Sequence, residues 1–122
     1  GAEAVAELVS SSRSLTQLDL SHNELSPEAA KALAKAIRSC SSLVQIDISN
    51  NKLCGIDRGG SGAYTADGIQ AIAQSMFVSP SLHWIDVGYN FIEQAEALEI
   101  LASIKAERVV SIGFGVCGPG PN

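Results

Sequence analysis

At 122 residues the chain is one domain or part of one, too short for a multidomain enzyme. It is 46% hydrophobic and 17% charged, which rules against disorder. No apolar run approaches the roughly 20 residues of a membrane-spanning helix. A net charge of −5 and a pI near 4.8 argue against nucleic acid and anionic lipid as partners. With three Phe, two Tyr and one Trp, the core must come from Leu, Ile, Val and Ala. That suits a regular repeat better than a cavity lined with rings.

The opening GAEAVAEL reads as the middle of a helix, with Val5, Ala6 and Val9 on its apolar side. Residues 1–122 are thus expected to be a single array cut from a longer protein. From Leu15 the segment LTQLDLSHNEL contains the alternation Leu18-Asp19-Leu20, the period of a half-buried strand. Ser26-Pro27-Glu28 then supplies an N-cap, a proline at the first helical position and an acid in the first turn. Ala30, Leu33, Ala34 and Ile37 mark the buried stripe of that helix, and Lys31, Lys35 and Arg38 its wet side. A second strand segment, LVQIDISNNKL, begins at Leu43 and is followed by the glycine-rich CGIDRGGSGAY. Thr65 is the expected cap of the next helix, with Ile69, Ile72, Ala73 and Met76 inward. The third strand segment, LHWIDVGYNFI, starts at Leu82 and leads to a helix built on Ala97, Leu98, Leu101 and Ile104. VVSIGFGVCGP from Val109 closes the series.

The segments superimpose. Leu15, Leu18, Leu20, Asn23 and Leu25 recur at Leu43, Ile46, Ile48, Asn51 and Leu53, and again at Leu82, Ile85, Val87, Asn90 and Ile92. Val109, Ile112, Phe114 and Cys117 form the expected fourth copy, with Cys117 in the asparagine slot. No single strand–helix unit can bury its own apolar face, so the units must stack. The asparagines fall where the chain leaves each strand, and a buried amide there can bond backbone of the next coil. Outward positions form columns: Gln17, Gln45, Trp84, Ser111; then Asp19, Asp47, Asp86, Gly113; then Ser21, Ser49, Gly88, Gly115.

LxxLxLxxNxL at this spacing resembles a leucine-rich repeat, and the 28-residue unit with a full helix resembles the ribonuclease-inhibitor-like subclass. The resemblance covers nearly the whole chain. It implies an α/β solenoid of about four strands, with a curved parallel sheet on the concave face and helices on the convex one. In that family the concave face commonly binds other proteins. The Ran GTPase-activating proteins share the repeat type, so a GTPase-activating regulator is the alternative function.

Three aspartates in line, Asp19, Asp47 and Asp86, repel by about 1 kcal/mol per neighbouring pair in water. A basic protein partner would relieve that repulsion; solvated, splayed carboxylates are the plain alternative. Trp84 faces outward by register, where a large rigid ring serves as a binding anchor. Tyr89 and Phe91 lie on the strand-to-helix edge that also carries the 54–65 loop, 11 residues longer than the neighbouring unit requires. The expected partner-binding residues are therefore Asp19, Asp47, Trp84, Asp86, Tyr89 and Phe91.

No nucleophile–base–acid set, metal-ligand spacing or phosphate loop is legible, so neither catalysis nor a cofactor is expected. Cys40, Cys54 and Cys117 form no CxxC pair and suit reduced thiols in a cytoplasmic protein. Neither end offers a capping unit, so the ends are expected to self-associate or to need flanking repeats.

Overall fold

The computed structural model describes residues 2–57, 59–103, 109–111 and 116–117. Strands and helices alternate: α1 (Ala2–Ser11), β1 (Gln17–Asp19), α2 (Pro27–Ser39), β2 (Gln45–Asp47), α3 (Asp67–Val78) and β3 (Trp84–Asp86). Then come β4 (Ile92–Glu93), α4 (Gln94–Ser103), β5 (Val109–Ser111) and β6 (Val116–Cys117). The strands β1, β2 and β3 pair in parallel, with β5 added by backbone pairing, and β4 pairs β6 separately. The register is the one the repeat implies: Leu18 opposite Ile46 opposite Ile85.

The strands are only three residues long, yet pairing continues past them. Ile48 N donates to Asp86 O at 2.9 Å, Asn50 N to Gly88 O at 2.8 Å and Lys52 N to Leu25 O at 3.0 Å. The helices lie together on one layer, α1 against α2 and α2 against α3. Between them and the sheet sits the core, including Leu33, Ile37, Ile46, Ile48, Ile69, Met76 and Ile85. Each such side chain, fully buried, stabilises by about 1.5–3 kcal/mol. Helix α2 is built as its sequence reads: Ser26 accepts the Ala29 amide at 3.3 Å, and Pro27 opens the helix. Gly68 lets α3 approach α2, because a Cβ there would stand 2.9 Å from the Ala30 Cβ and 3.0 Å from Leu53 O.

The asparagines tie coil to coil. Asn51 Oδ1 accepts the amides of Asn23 (2.8 Å) and Leu25 (2.9 Å), while its Nδ2 donates to Leu20 O and Ile48 O at 3.0 Å. Asn90 repeats this one unit on, accepting Leu53 N and donating to Ile48 O, both at 3.0 Å. A second rung, not foreseen from the sequence, joins the other ends of the strands. Ser42 donates to Leu15 O and Ser81 to Leu43 O, each at 2.7 Å.

Four expectations need correction. The cap of α3 is Ala66 and not Thr65; the Thr65 hydroxyl still accepts the Asp67 amide at 3.2 Å. In α4, Ala97 is buried but Leu98 is 61% exposed, since adjacent helical residues point about 100° apart. Trp84 pairs with Val109 and Asp86 with Ser111, so the fourth strand sits two residues from the expected columns. An even shift is the one that keeps the faces of a strand from exchanging. Cys117 pairs with Glu93, and so does not stand opposite Asn90 as the asparagine slot requires. Ile104, Ile112, Gly113, Phe114 and Gly115 lie outside the described residues, as do the side chains of Leu101 and Cys117.

The ladder makes Asn51 the residue with most to lose. Asn51→Ala strands two part-buried amides and several carbonyls, and should lower stability by about 1–3 kcal/mol in urea or thermal unfolding. An unfolding midpoint equal to that of the parent chain would remove the ladder from the energetics.

Candidate protein-binding face

Opposite the helices, the sheet presents its outward residues in the expected columns over three units. Gln17, Gln45 and Trp84 lie side by side, as do Asp19, Asp47 and Asp86, at a strand spacing of about 4.8 Å. Asp19 is exposed, and Asp47, Asp86 and Trp84 are half-buried. Ile46 and Ile85, the residues between, are buried, which is the alternation that turns Trp84 and the acids outward.

Each aspartate also has local work to do. Asp19 Oδ1 accepts the Ser21 amide at 2.9 Å and its hydroxyl at 2.7 Å. Asp47 does the same with Ser49, at 3.0 and 2.6 Å, and Asp86 accepts the Gly88 amide at 2.8 Å. The carboxylates therefore close the turn two residues on, and the serine column holds their second donor. Repulsion along the acid column is offset locally by these donors. Among the described residues none of the three has a cationic partner within ion-pair distance, the single salt bridge being Lys31 with Glu28. The Ser21 hydroxyl and amide, with His22 nearby, hold the Asp19 carboxyl below its ordinary value.

The turns beyond the strands are strained at equivalent positions. His22, Asn50 and Tyr89 have φ of 59°, 57° and 58°, and Phe91 has 58°. Asparagine tolerates this left-handed conformation; an aromatic side chain there costs about 1–2 kcal/mol. Tyr89 is nonetheless 47% exposed, so its ring recovers little of that cost by burial. Phe91 is half-buried. The same left-handed conformation at His22, Asn50 and Tyr89 makes it a feature of the repeat.

The 54–65 loop is folded on itself. Cys54 is buried at its root, where Thr65 N donates to Cys54 O at 2.9 Å. Asp57 Oδ1 accepts the Gly59 and Ser61 amides, both at 2.9 Å, and fixes the tip. Arg58 lies outside the described residues. Tyr64 extends to the third unit, its hydroxyl accepting the Glu93 amide at 3.3 Å, and burial pushes its phenol up. The tip itself lines a groove of about 390 Å³ with His22, Glu24, Asn50 and Lys52. Tyr89 and Phe91 do not line it, so the loop tip serves the first two units and only its root reaches the third. Sequence reasoning missed His22, Glu24 and Lys52 at this groove, and equivalent turn positions were the signal that placed them together.

Among the described residues, no group of three His, Cys, Asp or Glu could hold a metal ion, and no helix is long and apolar enough to cross a membrane. What the face can do is present one indole, three carboxylates and one turn with two aromatic residues to a macromolecular surface.

Comparison with known proteins agrees with this geometry. A family model described as leucine-rich repeat matches residues 11–34, which run from the end of α1 through β1 into α2. No curated protein matches the chain in sequence. Among solved structures, the chain resembles leiomodin-1 actin-binding site 2 with a TM-score of 0.70 at 13% identity. The alignment covers 93% of this chain and 62% of that one. Together the two matches support a leucine-rich-repeat fold. They lend no support to the GTPase-activating alternative.

Two measurements probe this geometry. Gly62 has φ +124°, and a Cβ there would meet Gly55 O head-on, so Gly62→Ala should open the loop and lose about 1–3 kcal/mol. Amide exchange at Gly59 and Ser61 as slow as in the parent chain would contradict it. For Asp19 the folded pKa is depressed, so its contribution is present above the unfolded value and is lost as pH falls through the folded one. A carboxyl NMR titration should place Asp19 below an unstructured aspartate, and Ser21→Ala should move it upward; an unmoved midpoint would discount the Ser21 bond.

Proposed function

We propose that the chain is a non-enzymatic segment of a leucine-rich-repeat solenoid of the ribonuclease-inhibitor-like kind. It holds a protein partner on the concave outer face of its sheet and on the 54–65 loop. The observation that carries this reading is Trp84 on the outer face, half-buried beside Asp47 and Asp86, neither of which has a cationic partner among the described residues. An indole in that position supplies contact area at low entropy cost, and the acid column selects a basic surface. Tyr89, held exposed at a strained turn, and Phe91 extend the contact along the edge. The leiomodin-1 neighbour, titled an actin-binding site, supports a protein partner in kind and makes actin the first protein to titrate. The buried thiol of Cys40 suits a reducing, cytoplasmic setting.

Affinity capture from the source cells with the parent chain and with Trp84→Ala, run in parallel, tests the face. The partner retained by the parent should be lost from Trp84→Ala, with affinity reduced about thirtyfold and the unfolding midpoint little changed. Asp47→Asn should weaken the same complex mainly at low salt. Equal retention by Trp84→Ala would place the partner elsewhere, and unfolding of that variant would make the indole part of the core.

A further inference from the structure

Each asparagine of the ladder reaches back to the unit before it. Asn51 holds the turn of the first unit, and Asn90 holds that of the second. Asn23 is the third member, but its Nδ2 donates only to Ser21 O at 3.0 Å within its own turn. Among the described residues nothing donates to its Oδ1, and the side chain is exposed where Asn51 and Asn90 are buried.

The apolar positions tell the same story independently. Leu43, Ile46, Ile48 and Leu53 are at most 1% exposed, and their third-unit equivalents at most 2%. Leu15, Leu18, Leu20 and Leu25 are all only half-buried. On the helix side, the positions equivalent to Leu8 are Ala36 and Ser75, buried at 1% and 0%, whereas Leu8 is 61% exposed. Were this the side turned toward the following helix, α2 would cover Leu8. Its exposure leaves open the side of α1 away from α2, which a helix preceding α1 would cover.

We propose that this open side of the first unit takes a further leucine-rich coil of the same polypeptide. The coil's strand would run parallel to β1, and its turn would offer Asn23 Oδ1 two backbone N–H groups, as Asn23 and Leu25 offer theirs to Asn51. The choice of occupant rests on the two equivalent faces in this chain, each covered by such a coil. Helix α1 already stands where that coil's helix belongs: it precedes β1 and packs on α2 as α2 precedes β2 and packs on α3. Continuity with the covered faces favours a coil joined in sequence over a second copy of the chain. The inference concerns the edge of the array and is independent of the partner-binding face.

The test uses the chain and a version carrying one extra unit, residues 1–42 followed by 15–122, in which the second Asn23 becomes interior. In the chain itself, Asn23→Ala should move the melting midpoint by less than about 1 °C, while Asn51→Ala lowers it by several degrees. The lengthened chain should melt higher, and Asn23→Ala in its second copy should lower the midpoint by about 3 °C or more. Equal cost of Asn23→Ala in both settings, or a lengthened chain that melts no higher, would overturn the proposal. Sedimentation of the original chain supplies a further arm. A dimer abolished by Asn23→Ala would assign the face to a second copy and overturn the assignment to a joined coil.

Discussion

The amide of a buried asparagine is the interaction on which this molecule depends. Each strand is three residues long, and so short a strand brings few ladder bonds of its own. Asn51 adds an acceptor for two amides of the preceding turn and a donor to carbonyls on both coils. Polar backbone that must leave the sheet and enter a helix thereby finds protein partners at the turns. The serines at the opposite ends of the strands do the same on a smaller scale. Burial of Leu, Ile and Val between sheet and helices follows from that fixed spacing.

The ladder also explains how the second unit accepts 11 extra residues. Leu53 N is taken by Asn90 before the loop begins, and Thr65 N returns to Cys54 O where it ends. The two ends of the excursion are thus pinned within the repeat geometry, and lengthening a loop between pinned ends costs little. Inside it, one aspartate carboxylate organises the tip, and backbone packs on backbone at Gly55 and Gly62. A preformed wall results, set against the turns of the first two units.

The outer face combines constraint with availability. Its aspartates are partly consumed by turn closure, so their recurrence has a structural cause in each unit. No cation among the described residues pairs with them, and Trp84 stands where the first two units have glutamine. That departure from repetition, together with an aromatic ring at the turn position that His22 and Asn50 hold in the other units, separates the third unit from the other two.

The sequence alone determined the units, the strand register over the first three of them and the inward residues. Those follow from spacing: identical side chains recurring in step must meet in step, and a period of two fixes which face they take. It also determined the cap at Ser26 and the position of the asparagines. Only the tertiary structure decided which coil each asparagine grips, that the aspartates close turns, that Leu98 is exposed and that the loop tip serves His22 and Glu24. It also set the fourth strand two residues away from the expected pairing. These outcomes depend on distances between groups far apart in sequence, and a repeat pattern carries no information where the repeat is broken, as it is at the long loop and at the glycine-rich last segment.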